Sequence, residues 1–289
     1  MKDVARPHIE FIQSQWLPLE DAWDGNARSG TRFQTLSRDR ASGACSLIVH
    51  YPAGWSVDEQ ALAADEELFV LDGALELDGR RLGPHCYAHL PRGFNRRRLA
   101  SPSGARVITF FSDSPQPAGP ARFDPARLVS GLDTRRMDGM TGPRKHMASE
   151  GFRFEGTVHK LLFDDPETGD KTWIAGLMPY WHSDLIETHP VCEEEFALSG
   201  DVHLPCGIMR EGSYFWRPAN VPHGPFGTTG GTLHLCRGKG GRFSTRFETS
   251  TTPFAWDPPY DPILPPDLAA WVPSGYDCRR SDALAAHPV

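Results

Sequence analysis

The chain has 289 residues, a formal charge of −7, 28 glycines and 26 prolines, which leaves room for one large domain or two ordinary ones. The acidic balance gives no case for a nucleic-acid partner, because holding a phosphate backbone takes a concentrated basic surface; the one basic cluster, residues 96–98, reads as a solvated loop. No apolar run is long enough for a secretory leader or a bilayer span. The six cysteines are scattered without a C-x-x-C pair, so the expectation is a soluble cytoplasmic protein with reduced thiols and no membrane partner.

In chain order, residues 8–12 alternate like a short strand, and residues 16–30 are polar and turn-rich. Strand-length apolar runs follow, such as SLIVHYP from Ser46 and RVITFF from Arg106, bounded by turn residues. Asp72-Gly73 and Asp78-Gly79 bracket ALEL, a hairpin signature. The stretch ALAADEEL from Ala61 has helical propensity, which the repeat described below overrules in favour of strand. Residues 112–150 change texture: SPQPAGP reads as linker, and DPARLVSGL as one short helix capped by Asp124 with Pro125 in its first turn. Strand texture resumes at residue 151. From Phe247 a proline-rich tail with interspersed aromatics is expected to pack as an extended strap over its own domain or a neighbouring subunit. The predicted layout is residues 1–115 as one β-domain, 116–150 as linker, 151–246 as a second β-domain and 247–289 as the strap.

The two β-domains are copies of each other. The Leu-x-x-Asp-x-x-x-Gly frame that contains Asp39 and Gly43 recurs with Asp165 and Gly169. Further on, Glu66 and Glu193, Gly73 and Gly200, Tyr87 and Tyr214, Pro91 and Pro218, and Arg96 and His223 are all 127 positions apart.

The second copy carries the chemistry, in ETHPVCEEEFALSG from Glu187 and PANVPHG from Pro218. Glu187 and His189, two apart, share one face of a strand; Glu193 follows a tight connection, and His223 arrives from a segment punctuated by Pro and Gly. Four potential metal ligands thus converge. Glu195 would face the same way as Glu193, as a general base or an orienting group, unless a register irregularity turns it to solvent. His159, His182, His203 and His234 are assigned no role, and neither is Cys192. The aromatic residues flanking the motifs read mostly as core.

These spacings resemble the cupins, small double-sheet jelly-roll barrels whose motifs read G-x5-H-x-H-x3-E-x6-G and G-x5-P-x-G-x2-H-x3-N. The first copy keeps the spacing with Gly54, Gln60, Leu62, Glu66, Gly73, Pro91, Gly93 and Arg96. The second keeps it with Glu187, His189, Glu193, Gly200, Gly212, Pro218 and His223; Trp181 stands for the opening Gly, Asn220 for the second-motif Gly and Gly227 for the final Asn. The Asp165–Gly169 run and EEEFALSGD resemble the cupin-like group that includes the C-terminal domain of ChrR-type anti-sigma factors. The resemblance implies an all-β bicupin with one divalent transition metal (Fe, Mn, Ni or Zn) held by Glu187, His189, Glu193 and His223. Glu187, in place of a His, makes the set harder and more anionic and is either a fourth ligand or a base beside the metal. In the first copy Gln60, Leu62 and Arg96 replace the imidazoles, and Glu66 is expected to pair with Arg96. The implied activity is an oxygenase on a small organic substrate, with the chain as a homodimer. The alternatives are an isomerase or lyase in which Glu187 or Glu195 moves the proton, and a ligand- or metal-sensing regulator.

Overall fold

The computed structural model describes residues 6–21, 28–141 and 155–280; part of the expected linker and the end of the tail lie outside them. Strands and turns dominate, as expected for an all-β chain, and the one α-helix among the described residues is the single turn Pro266–Ala269. Among them no helix is long and apolar enough to cross a membrane. The chain divides into two compact units, Met1–Arg6 with Pro18–Met137, and Pro7–Leu17 with Asp138–Val289.

The N-terminal strand β1 (Ile9–Gln13) belongs to the second unit. The first unit runs through β2 (Arg32–Arg38), β3 (Cys45–Tyr51), β4 (Trp55–Leu62), β5 (Glu66–Gly73), β6 (Leu75–Leu77) and β7 (Arg80–Leu82). It continues with β8 (Cys86–Leu90), β9 (Arg96–Ser101), β10 (Ala105–Phe111), β11 (Pro117–Ala118) and β12 (Val129–Asp133). Two antiparallel sheets result, β12-β8-β5-β10-β3-β2 and β11-β4-β9-β6-β7. Alternate residues of both, among them Leu47, Val49, Leu68, Val70, Leu77 and Leu99, meet in one core, as the period of two along a strand dictates. Residues 61–68 are strand and turn despite their helical propensity, because β5 is a central strand, paired along both edges with β8 and β10 and buried over its first five residues. Asp78 and Gly79 both have positive φ and join Leu77 to Arg80 in a two-residue hairpin turn.

The second unit follows the same path through β13 (Thr157–Asp164), β14 (Lys171–Leu177), β15 (His182–Ser183), β16 (Leu185–Thr188) and β17 (Cys192–Leu204). Then come β18 (Gly207–Arg210), β19 (Ser213–Arg217), β20 (Phe226–Gly227), β21 (Thr232–Lys239) and β22 (Arg246–Thr249). The repeat extends to individual bonds: Tyr87 donates to Glu67 at 2.7 Å and Tyr214 to Glu194 at 2.8 Å. Gly73 and Gly200, which end the first motif in each copy, lie so close to the carbonyls of Gly104 and Gly231 that a Cβ at either would collide with backbone. The motif needs glycine there for space as well as for its positive φ. The described part of the tail straps its own unit: Phe247 pairs with Glu187, Ile263 bridges Glu10, and the Tyr260 hydroxyl donates to the Phe11 carbonyl at 3.0 Å.

The expected boundaries shift in one respect. β12 lies in what reads as linker, where the expected helix is only the 3-10 turn Pro125–Arg127, capped by the Asp124 side chain. A one-turn helix gains little alone, whereas Val129–Asp133 completes an open sheet edge on β8. β1 does the same for β19 in the second unit. Each arm is bulged and ends in a 3-10 turn, with Ser14 donating to Gly212 at 2.9 Å and Thr134 to His85 at 3.1 Å. The two repeats have therefore exchanged arms.

The residues at the metal-ligand positions of the first unit form an ionic plug. Glu66, fully buried, accepts from Arg96 Nη2 at 2.6 Å and Nε at 3.0 Å, which is the expected pair. A second guanidinium that sequence reading missed, Arg28, bonds its other oxygen and the Gln60 side chain. Burial pushes the Glu66 carboxyl up, but Arg28 and then Arg96 outweigh this and hold it below its ordinary value. Residues 96–98 are thus a strand start with Arg96 inward, and only Arg97 and Arg98 match the solvated reading. Arg96→Ala should destabilise the protein by about 3–5 kcal/mol, because it takes two charged donors from one oxygen of a fully buried carboxylate that Arg28 alone is then left to hold. Arg98→Ala, which loses only an exposed pair with Asp58, should cost less than about 1 kcal/mol. Urea denaturation of the two variants side by side gives the comparison, and equal midpoints would refute the plug.

Candidate metal centre

Local backbone geometry places the ligands. Glu187 and His223 exchange backbone hydrogen bonds of 2.8 and 3.0 Å, the same pairing that Gln60 and Arg96 make in the first unit. The His189 carbonyl accepts from Asn220 N–H at 2.8 Å, as Leu62 accepts from Gly93 at 3.0 Å. Asn220 keeps the positive φ of Gly93, so the Gly-to-Asn exchange leaves the turn intact. The opening position needs correction. Trp181 donates to the Glu155 carbonyl as Trp55 donates to that of Ser29, and Tyr180, at positive φ, takes the place of Gly54. One extra residue then falls between Trp181 and Glu187, which restores the register.

The structure brings three of the four expected ligands, Glu187, His189 and His223, into mutual reach and sets Glu193 beside the two imidazoles. One ligand atom from each of Glu187, His189 and His223 lies within 4.8 Å of the others. The Glu193 oxygens lie 3.5 Å from His189 Nε2 and 3.5 Å from His223 Nε2. Both rings are held from behind. His189 Nδ1 faces the Ser244 carbonyl at 3.1 Å and Thr245 Oγ1 at 3.2 Å, its ring stacked on Phe243, and His223 Nδ1 faces the Val221 carbonyl at 3.1 Å. A proton on Nδ1 leaves each Nε2 with a lone pair toward the carboxylates, the arrangement that orients an imidazole for a metal. His189 Nε2 is buried with no hydrogen-bond partner. Burial pushes Glu187 up to about 8, helped by the charge of Glu195, and pushes His189 down to about 4. Burial also raises Glu193 and, with Arg217, lowers His223. Neutral imidazoles beside two buried carboxyl groups, Glu187 and Glu193, are the donor set a divalent cation satisfies.

Sequence reading missed what surrounds these ligands. Arg217 donates to Glu193 at 3.1 Å through Nη1, while its other nitrogens clasp Glu10 at 2.6–2.9 Å and its plane lies 3.7 Å from the Phe215 ring centroid. Glu10 comes from the exchanged arm. Glu195 does face the interior, where its carboxylate meets His234 Nδ1 at 2.8 Å. The signal for these residues lies in the repeat: Leu90, Leu68 and Val107, buried and apolar, stand 127 positions before Arg217, Glu195 and His234. Ligands and dyad line one cavity of about 120 Å³, walled also by apolar groups such as Trp173, Phe215 and Phe243 and by Thr157, Thr232 and Thr245. His159 also lines it, whereas His203 is bound to Asp201 and Trp256 elsewhere and His182 is exposed. Cys192 is buried outside the cavity lining.

Glu10 gives this centre a pH signature. Burial alone would raise its carboxyl, but Arg217 and then His8 outweigh this and bring it down to about 2 from 4.5. A carboxyl whose folded pKa is depressed stabilises the fold above its unfolded pKa, and that contribution fades as pH falls toward the folded value. Wild type should therefore exceed Glu10→Gln by about 3 kcal/mol at pH 7 and by about half as much at pH 3. Urea titrations at the two pH values measure this, and a constant gap would show that Glu10 titrates normally.

Comparison with solved structures finds the same architecture. A candidate dioxygenase from Nostoc punctiforme PCC 73102 superposes with a TM-score of 0.71 at 17% identity, covering 82% of this chain and 88% of its own. A variant of oxalate decarboxylase from Bacillus subtilis gives 0.55 at 10% identity, covering 83% and 79%. A structure of the same enzyme described for its Mn(II) centres gives 0.55 at 10%, covering 82% and 78%. At these identities the likeness is one of fold, the cupin barrel implied by the motifs. No curated protein matches the chain. A family model described as a domain of unknown function, DUF4437, matches residues 9–245, most of both units, and the chain belongs to that family.

Proposed function

We propose that the second unit is a metal-dependent enzyme site acting on a small organic molecule, with oxygenase chemistry as the leading reading. The observation that carries it is the convergence of His189 Nε2, His223 Nε2 and two carboxylates at one end of a walled cavity. Two imidazoles with one carboxylate leave room beside the ion for substrate and oxygen. A divalent Fe, Mn, Ni or Zn ion bound there would supply Lewis-acid polarisation and, if redox-active, electrons for dioxygen.

The chain's own residues do the rest. His189, Glu193 and His223 hold the ion, with Glu187 as a fourth ligand or a base at its side. Arg217 fixes the orientation of Glu193, and the apolar wall keeps bulk water from the reacting group. Glu195 serves the proton-handling side of the cavity through His234. The manganese named for the oxalate decarboxylase structure makes Mn(II) one of the ions to test first. A lyase or isomerase step would use the same residues without oxygen, and a ChrR-like sensing role rests on sequence resemblance alone.

Metal analysis of untagged protein purified without added metal tests the reading. We expect a single ion per chain, retained in Glu66→Ala. His189→Ala and His223→Ala should weaken binding by more than the ~100-fold that loss of an outer-shell partner can cost. Protein that takes up no metal under any growth condition would refute the site. Oxygen consumption tied to substrate loss separates the oxygenase from a lyase.

A further inference from the structure

Opposite chemistry to that of the ligands is built into the wall of the same cavity. His234 is buried and lines the cavity, its Nδ1 lies 2.8 Å from Glu195 Oε2, and its Nε2 is buried with no hydrogen-bond partner. With a carboxylate on Nδ1, that nitrogen carries the proton and Nε2 is left with an unpaired lone pair on a cavity-lining ring. A buried polar atom without a partner is costly, so one on a cavity-lining side chain marks where a ligand group belongs. The first unit shows the alternative: Leu68 and Val107 at these positions simply extend the core.

The rest of the wall limits the ligand. Its one guanidinium, Arg217, is spoken for by Glu10 and Glu193. Among the described lining residues no cationic side chain is left over for an anion, and the carboxyl groups of Glu187, Glu193 and Glu195 face the same space. We infer that the cavity takes a neutral, largely apolar small molecule bearing a hydroxyl group, and that His234 Nε2 accepts the hydroxyl proton while Glu195 holds the ring. This rests on the enzyme reading above and adds the substrate class and the base. In the step the substrate O–H bond breaks, the electron pair stays on oxygen, an N–H bond forms at Nε2, and Glu195 balances the imidazolium. The proton acceptor is thus His234, with Glu195 a positioning residue.

The test uses full-length protein loaded with zinc, which does no redox chemistry, and 4-nitrophenol, buffered where the free dye is un-ionised. Wild type should bind the dye and develop the phenolate absorption band. His234→Val, which installs the residue of the first unit, should keep its zinc and its melting temperature but lose the band, with dye affinity falling about tenfold or more. Glu195→Leu, which leaves the ring but frees it to turn, should lose the band as well, and it decides the matter if His234→Val does not fold. The isosteric anion 4-nitrobenzoate should bind wild type at least about tenfold more weakly than the phenol. A band of wild-type strength in both variants, no dye binding by zinc-loaded wild type, or equal affinity for the two probes would overturn the inference. Zinc content is measured separately: wild type that holds no zinc overturns the metal reading, and the same dye titration on metal-free protein then decides on His234.

Discussion

A carboxylate buried at the start of the same strand in each barrel is the constraint around which this molecule is arranged. Glu66 opens β5 and Glu193 lies at the start of β17, and neither position offers water. Removing a carboxylate from water costs several kcal/mol unless a cation sits beside it. The two units meet that demand differently. The first uses two guanidiniums, Arg28 and Arg96, and closes its interior. The second supplies only Arg217, already shared with Glu10, and leaves imidazole lone pairs in place of the second positive charge. That difference leaves the first barrel's carboxylate fully paired and makes the second the candidate place for an ion.

The ligand set was legible because it lies in two short segments whose spacing survives in both copies. Residues two apart share a strand face whatever the surrounding fold does, and the constant offset tied His223 to Arg96. The pairing of Glu66 with Arg96 followed from the same logic. Glu10 and Arg217 were not legible as a pair, because they meet only through the pairing of β1 with β19 and are 207 residues apart; Arg28 reaches Glu66 from a turn 38 residues away. Arg217, Glu195 and His234 did leave a trace, since each replaces a buried apolar residue of the first copy. The dyad was half seen, with Glu195 read correctly as able to face inward and His234 set aside, because one histidine in a strand says nothing about its partner.

The arms escaped for a different reason. β12 sits among turn residues, and its helical look came from the Asp-Pro start that in fact builds only a single 3-10 turn. A strand that completes a sheet edge is chosen by the vacancy it fills, and five residues carry too little pattern to announce it. The hydrogen-bonded frames around Asp39 and Asp165, by contrast, are nearly identical, each carboxylate accepting from two following amides and each residue's carbonyl from the glycine after them. Local turn chemistry is written in neighbouring residues and can be read there.

The exchange of arms bears on ancestry. A gene cut between the repeats would yield two products, each lacking the strand that finishes its own sheet and each holding the one that finishes the other's. Such interlocking has the connectivity of a fused dimer whose subunits had swapped their leading segments. The second product would also lose Glu10, and with it the carboxylate that clasps Arg217 behind Glu193.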